Sequence, residues 1–178
     1  MAANVHKLIV MGVAGCGKST LGAGLALALG CALIEGDDYH LPESQAKMRE
    51  GIALQDSDRA PWLDRVGQVL QEQRGTAVAT CSALKRRYRD RLRAQVPGLR
   101  FVFVDIAEAD AARRVGSRPA HLFPTSLVAS QFAALESPVG EPGVLRVDAT
   151  LPPQAQLDTV IQWLALPATS PSNEASHA

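Results

Sequence analysis

The feature that most constrains the fold is a glycine-rich segment near the N-terminus. Residues 12–19 read GVAGCGKS and directly follow the apolar run at residues 8–11. This is a complete G-x-x-x-x-G-K-S phosphate loop, in which backbone N–H groups at a helix N-terminus hold phosphate oxygens. Glycine permits the backbone angles of such a loop and lets the main chain approach the phosphates. The segment therefore predicts a strand, a loop and a helix that together bind a nucleoside triphosphate.

The loop pattern assigns a role to several side chains. Lys18 is expected to reach the β- and γ-phosphates, and the Ser19 hydroxyl is expected to ligate Mg²⁺. Two interpretations of Cys16 stay open: a thiolate stabilised by Lys18 and the helix N-terminus, or a small inert filler turned into the protein. Nucleotide contacts are predicted for Gly12, Val13, Ala14, Gly15, Cys16, Gly17, Lys18, Ser19 and Thr20.

Composition excludes several classes of protein. The chain of 178 residues has the length of one domain, and its 18 basic and 18 acidic residues leave no net charge to attract nucleic acid or an anionic membrane. The longest apolar run, residues 25–29, is too short to span a bilayer. The three cysteines lack C-x-x-C spacing and histidine partners, which argues against a disulfide framework and against a zinc site. We expect a cytoplasmic protein without nucleic-acid or membrane partners.

Short apolar runs alternate with helical patterns along the chain, which predicts an α/β fold with a parallel sheet between two layers of helices. Strands are predicted at Lys7–Met11, Ala32–Glu35, Ala77–Cys81, Arg100–Asp105 and Val144–Val147. Helices are predicted from about Lys18 to Leu29, from Trp62 to Gln73, from a Ser82 cap to about Gln95, and from Pro153 to near Leu166. The kinase-like domain is expected to cover residues 1–166, followed by a disordered tail at 167–178.

Acidic residues follow the second predicted strand. Ligands bind at the carboxyl ends of parallel strands, so Glu35, Asp37 and Asp38 are expected beside the nucleotide. Carboxylates there serve either the metal or the acceptor hydroxyl. We assign Asp37 as the catalytic base and substrate ligand and Glu35 to the outer shell of Mg²⁺. The division of roles among the three acids stays open. The alternative that these acids form only a solvated turn also stays open.

Cations follow the third predicted strand. The run from Lys85 to Arg93 is mostly assigned to solvated helix faces, while Leu84, Tyr88 and Leu92 are expected to face the core. Lys85 and Arg89 are exceptions because they are predicted to point at the site. A cation opposes the dipole at a helix N-terminus, so an anionic ligand would explain Lys85 better than stability would.

Two further segments hold candidate site residues. Asp58 precedes a predicted helix, where helix capping and substrate binding are equally good explanations. Arg114 and Arg118 lie one helical turn apart before a break in the helical pattern. Phosphoryl transfer needs cations on a mobile cover, so these arginines predict a lid at about residues 114–124. The alternative is a solvated helix face.

Taken together, these segments resemble the gluconate kinase family of P-loop small-molecule kinases. The resemblance rests on the phosphate loop and on the segments 36–40, 47–48, 56–63, 81–90, 114–121, 130–132 and 135–138. It implies a sheet order of 2-3-1-4-5, a short lid, and transfer of the γ-phosphate of ATP to the 6-hydroxyl of D-gluconate, giving 6-phospho-D-gluconate. The implied catalytic residues are Lys18, Asp37, Arg114 and Arg118. The implied substrate-binding residues are Asp37, His40, Asp58, Arg59, Lys85, His121 and Gln131.

The chemistry of these side chains favours a sugar acid independently of the resemblance. The cations Arg59, Lys85 and His121 suit a carboxylate, and Asp37, His40 and Asp58 suit hydroxyls. The chain departs from the family, which usually has serine at Cys16, asparagine near Ser44, a third acid near Ser57, and Gly-His-Phe at residues 120–122.

The alternatives are another P-loop small-molecule kinase, such as a shikimate or nucleoside monophosphate kinase, and a non-catalytic nucleotide-binding switch. The sequence contains no Asn/Thr-Lys-x-Asp guanine signature, which argues against a GTPase switch. The expected partners are ATP, Mg²⁺ and the sugar acid, with the chain acting either alone or as a homodimer.

Overall fold

The structure is a computed structural model that describes residues 4–117 and 124–165. The centre of the predicted lid and the predicted tail at 167–178 lie outside these ranges. Within them, five strands form one parallel sheet in the order β2-β3-β1-β4-β5. The predicted fold class and strand order are therefore confirmed. The strands are β1 Lys7–Met11, β2 Ala32–Glu35, β3 Ala77–Thr80, β4 Arg100–Asp105 and β5 Val144–Asp148.

The central strand β1 shows why the sheet is covered on both faces. Leu8 and Val10 belong to one hydrophobic core, and Ile9 and Met11 belong to the other. All four side chains are fully buried. Successive side chains of a strand point to opposite faces, so a continuous apolar run requires a packing partner on each side.

The helices form two layers around the sheet. Helices α1, α5, α6 and α7 contribute to the core that contains Leu8, and α3 and α4 contribute to the core that contains Ile9. Among the described residues, no helix is long and apolar enough to cross a membrane. The helices are α1 Lys18–Leu29, α2 Pro42–Arg49, α3 Asp56–Glu72, α4 Arg86–Gln95, α5 Glu108–Gly116, α6 Ser126–Ala134 and α7 Pro153–Ala165, with a short 3₁₀ helix at Gly36–Tyr39.

Helix α3 begins six residues before the predicted start at Trp62. The prediction placed the helix after Pro61, but Pro61 lies inside it. The first turn is stabilised by a capping box, in which Gln55 and Asp58 each accept a hydrogen bond from the other's backbone amide. Such reciprocal capping stabilises a helix start without help from proline.

Helix α4 begins later than predicted, and Ser82 is not its cap. The cap position is Lys85, and the helix starts at Arg86. Ala83 has a positive φ of 44°, which turns the chain before the helix. The Ser82 carbonyl accepts a hydrogen bond from the Gly12 amide at 3.3 Å, so this residue is part of the junction with the phosphate loop.

Candidate active site

The phosphate loop connects β1 to α1 and needs glycine at defined positions. Gly12, Gly15 and Gly17 have φ angles of 145°, 80° and 100°, a region that other residues rarely adopt. A Cβ atom on Gly12 would lie 2.8 Å from both Cys16 Sγ and the carbonyl oxygen of Val104. Both the turn of the chain and the close packing of the loop therefore depend on glycine.

The loop leaves a group of backbone amides available at the N-terminus of α1. The Ala14 amide is not one of them, because it donates to Gln131 Oε1 at 2.7 Å. Among the described residues, no hydrogen-bond partner exists for the amides of Gly15, Gly17 and Lys18. These donors, together with the positive end of the helix dipole, form the anion cradle that the sequence predicts.

Lys18 and Cys16 are close together but differ in exposure. Lys18 Nζ donates to the Val13 carbonyl at 3.0 Å and lies 4.0 Å from Cys16 Sγ. Cys16 is fully buried and belongs to the hydrophobic core. Of the two interpretations of Cys16, the structure supports the small filler turned into the protein.

The two predicted metal-side residues are in direct contact. Ser19 Oγ donates to Glu35 Oε2 at 3.1 Å, and Thr80 Oγ1 donates to the same oxygen at 2.6 Å. Thr80 lies in β3 and fixes the orientation of Glu35. A hydroxyl beside an oriented carboxylate is a donor set that suits Mg²⁺, which prefers oxygen ligands. Sequence analysis missed Thr80, since nothing in an apolar strand pattern distinguishes it.

The segment after β2 presents Asp37 to solvent above a buried histidine. The Asp37 side chain is 83% exposed, whereas His40 is buried and stacked on Trp62 with ring centroids 4.1 Å apart. His40 Nε2 lies 3.7 Å from Asp37 Oδ1, and Trp62 Nε1 donates to the Gly36 carbonyl at 2.7 Å. Trp62 thereby fixes the segment that holds Asp37.

Asp58 has structural partners, as the capping explanation requires. It accepts hydrogen bonds from Lys47 Nζ at 2.7 Å and from the Gln55 amide at 2.9 Å. These two bonds hold the pKa of its carboxyl below the ordinary value. Asp58 therefore connects α2 with the start of α3, and its binding of substrate stays a prediction.

Lys85 already has an anionic partner within the chain. Its Nζ atom lies 3.0 Å from Asp56 Oδ1, and Asp56 also accepts hydrogen bonds from Tyr88 and Arg87. The bonds from Tyr88 and Lys85 lower the pKa of Asp56 to about 2. Sequence analysis missed this role of Asp56, although an acid at a helix start was visible. Its partners are 29 to 32 residues away in sequence.

Arg59 is buried, and its side chain has no ion-pair partner among the described residues. It is 9% exposed, and its guanidinium carbon lies 5.8 Å from the centre of the Tyr88 ring. Its backbone amide donates to the Gln55 carbonyl at 3.2 Å, but within residues 4–117 and 124–165 its side chain forms no hydrogen bond or ion pair. Burial raises the pKa of the neighbouring Cys81 thiol to about 12, and the charges of Asp37, Lys18 and Arg59 all act on it. These three predicted site residues therefore surround the carboxyl end of β3.

The predicted lid residues are only partly described. Arg114 lies against the phosphate loop, with a nitrogen 3.4 Å from the Cys16 carbonyl oxygen and another 2.9 Å from that of Ala149. Arg118 and His121 lie outside the described residues. Gln131 contacts the backbone of the phosphate loop, whereas the resemblance implied a substrate contact.

Arg89 does not point at the site, contrary to the expectation from its helix position. It is fully buried and forms an ion pair with Glu141 at 2.5 Å. Its guanidinium also donates to the carbonyl oxygens of Ala83 and Leu84 at 2.9 Å each, so its charge is used within the protein.

These features define a class of protein before any comparison. A phosphate loop with available amides, an oriented carboxylate beside its serine, and charged groups at the carboxyl edge of a parallel sheet are typical of P-loop enzymes that bind nucleoside triphosphates. Residues 8–142 match the family described as an AAA domain.

Curated relatives narrow the class. The chain is 43% identical to a gluconokinase of Gluconobacter oxydans, with 87% of this chain and 89% of that protein covered. It is 39% identical to the thermosensitive gluconokinase of Escherichia coli, covering 80% of this chain and 79% of the other. The chain belongs to the gluconokinase family of P-loop kinases.

Solved structures agree with this assignment. A gluconokinase from Sinorhizobium meliloti superposes with a TM-score of 0.79 at 43% identity, covering 89% of this chain and 95% of that one. A sugar kinase from Janibacter reaches 0.85 at 35% identity, with 90% and 95% covered. The shikimate kinase of Aquifex aeolicus, at 18% identity and a TM-score of 0.60, shares the fold alone.

Proposed function

We propose that this chain is a gluconokinase, which transfers the γ-phosphate of ATP to the 6-hydroxyl of D-gluconate and releases 6-phospho-D-gluconate and ADP. Gluconokinase relatives that align over most of both chains support the reaction. The observation that carries the choice of a sugar acid is Arg59, a nine-tenths buried cation with no anionic partner in the described part of the chain. A substrate carboxylate would supply that partner.

The phosphate side of the site binds and polarises ATP. The available amides at the start of α1 hold phosphate oxygens, and Lys18 leaves the Val13 carbonyl to neutralise charge between the β- and γ-phosphates. Arg114, whose guanidinium lies against the loop, would add a second cation. Ser19 and Glu35 would hold Mg²⁺, which supplies charge neutralisation on the phosphate oxygens when bound.

The acceptor side activates the hydroxyl. As the acceptor oxygen forms its bond to the γ-phosphorus, the bond from that phosphorus to the bridging oxygen of ADP breaks, and the hydroxyl proton passes to the Asp37 carboxylate. The exposure of Asp37 lets a substrate reach it, and the His40–Trp62 stack beneath it restricts its movement. The reaction consumes ATP, and we place the enzyme in the cytoplasm, where ATP is supplied.

The burial of an unpaired cation also predicts the choice between sugars. A neutral polyol of the same length leaves Arg59 without an anion after water has been excluded, which is penalised far more than the loss of an exposed contact. The rival acceptors on this scaffold are shikimate and nucleoside monophosphates. The shikimate kinase of Aquifex aeolicus is only 18% identical to this chain, so its similarity supports the fold and not the substrate.

One assay tests the proposal. Release of ADP is followed with equal concentrations of D-gluconate, sorbitol, glucose, shikimate and a nucleoside monophosphate. We expect D-gluconate to be preferred over sorbitol by about a hundredfold or more in kcat/KM, as for a lost charge-assisted contact. Lys18→Ala, purified in parallel, controls for contaminating kinases. Equal use of sorbitol and gluconate would contradict the sugar-acid assignment, and preference for shikimate would replace it.

A further inference from the structure

Gln131 makes a contact that a substrate-binding residue would not make. It lies in α6, and its Oε1 atom accepts a hydrogen bond from the Ala14 amide at 2.7 Å. The two residues are 117 positions apart in sequence. The side-chain oxygen is therefore occupied by an amide in the middle of the phosphate loop.

The rest of α6 is fixed independently of Gln131. Leu127 and Val128 are buried, and Val128 packs in the same core as Val13. The Leu135 amide donates to the Gln131 carbonyl at 2.9 Å, which closes the end of the helix. The helix therefore offers a rigid support from which one side chain reaches the loop.

The contact satisfies the Ala14 amide within the protein, as backbone carbonyls satisfy the amides of Gly12 and Cys16. The amides of Gly15, Gly17 and Lys18 remain available for phosphate, as described above. Without an acceptor at position 131, the partly buried Ala14 amide has no partner in this conformation, and the loop gains by turning that amide elsewhere. The Ala14 amide shares its peptide plane with the Val13 carbonyl, so any such rotation also moves the acceptor of the Cys16 amide and of Lys18 Nζ.

We propose that Gln131 is a positioning residue for the phosphate loop: it orders the backbone amides that bind ATP and does not contact the sugar acid. The inference rests on the proposed function only in requiring that the loop binds the phosphates of ATP. It reassigns a residue for which the family resemblance implied substrate binding.

The test separates ATP binding from gluconate binding. Gln131→Met keeps the length of the side chain and removes the acceptor. We expect the Kd for ATP, measured by calorimetry without acceptor, to rise by about tenfold, the order expected for an unsatisfied buried donor. The KM for D-gluconate at saturating ATP should change by less than about twofold. Ser130→Ala is the matched control, because the Ser130 hydroxyl donates to the Leu127 carbonyl within α6 and, among the described residues, does not contact the phosphate loop.

A second measurement needs no ligand. Hydrogen exchange of residues 12–17 should accelerate in Gln131→Met, while exchange of β1 and β3 stays at the parental rate. If the methionine variant does not fold, Gln131→Asn replaces it, because one methylene less withdraws the amide from Ala14. An unchanged Kd for ATP, or a raised KM for gluconate alone, would overturn the proposal. Neither the calorimetry nor the exchange depends on which acceptor the enzyme phosphorylates, so the two proposals fail separately.

Discussion

Two regions of this molecule contain a buried arginine, and they differ in whether described residues supply an anion for it. Arg89 is fully buried, pairs with Glu141, and donates to the carbonyl oxygens of Ala83 and Leu84 at 2.9 Å each. Arg59 is nearly as buried, and among the described residues its side chain contacts the face of the Tyr88 ring but no acid. A buried charge with a complete set of partners supports the fold, whereas one without an anion indicates the place of a ligand.

The comparison extends to the groups around each arginine. Glu141 is shared by Arg89 and Arg93, so each of these α4 cations has an anionic partner within the protein. Three residues before Arg59 in the chain, the carboxylate of Asp56 is bound by Lys85, Arg87 and Tyr88. The partners of Asp56 are thus other groups than Arg59.

The largest expected effect is on the acceptor side and leaves the fold unchanged. Asp37→Asn removes the proton acceptor and should lower kcat by about 10²- to 10⁴-fold, with the Kd for ATP nearly unchanged. Single-turnover kinetics and calorimetry measure the two quantities. The melting temperature should equal that of the parent, since the side chain is exposed. A normal kcat with weaker ATP binding would instead make Asp37 a metal-side residue.

The next effect belongs to the Arg89 region and concerns stability. Arg89→Met leaves Glu141 buried without that partner and should lower the free energy of unfolding by about 3–5 kcal/mol. Urea denaturation measures it. The KM values of the folded fraction should match the parent. Arg86→Met, whose side chain is 65% exposed in the same helix, is the control and should change stability little. A stable Arg89 variant with a raised KM for gluconate would remove the distinction between the two regions.

Arg59→Met should show the reverse pattern. We expect kcat/KM for D-gluconate to fall by about a hundredfold and the preference over sorbitol to collapse. The melting temperature should stay equal or rise, because an unpaired buried cation has been removed. Thermal denaturation and the acceptor panel test both parts. A large loss of stability would show that Arg59 has partners of its own in the folded chain.

Lys85→Met should have a smaller effect than Arg59→Met. In the unliganded protein Lys85 already forms an ion pair with Asp56. Binding a substrate carboxylate would cost that ion pair, which reduces the net contribution of Lys85 to the binding free energy. We expect kcat/KM for gluconate to fall by about tenfold. Steady-state kinetics of the two variants side by side gives the ranking. A larger loss of kcat/KM in Lys85→Met than in Arg59→Met would indicate that the substrate carboxylate binds to Lys85.

The smallest effect is on the pH dependence of the Arg89 region. Burial acts to raise the pKa of Glu141, but hydrogen bonds from Arg89 and Arg93 outweigh it and lower the pKa below 4.5. Because the pKa of Glu141 is lower in the folded protein than in the unfolded chain, its carboxylate stabilises the fold above pH 4.5. This stabilisation is lost as the pH falls through the pKa of the folded protein. The melting-temperature advantage of the parent over Glu141→Gln should therefore shrink by about 2–4 °C on acidification below pH 4.5. A constant advantage would mean that Glu141 does not titrate differently on folding.

Sequence patterns predicted the sheet well because their information is local. The bounds of β1, β2 and β4 match the structure, and those of β3 and β5 differ by one residue. The starts of α3 and α4 were wrong for a different reason. Pro61 and Ser82 carry ordinary helix-start signals, but reciprocal capping by Gln55 and the positive φ of Ala83 decided the boundaries.

The sequence by itself determined the phosphate loop, the parallel sheet and the edge at which charged residues gather. These follow from glycine spacing, from apolar runs that alternate with helical patterns, and from the rule that parallel strands end on one side. Only the tertiary structure decided which charges are neutralised: Lys85 by Asp56, 29 residues away, and Arg89 by Glu141, 52 residues away. Ion pairs depend on distances in space, which the order of residues does not encode locally. In the part of the chain that the structure describes, the same packing left the Arg59 side chain without an ion-pair partner.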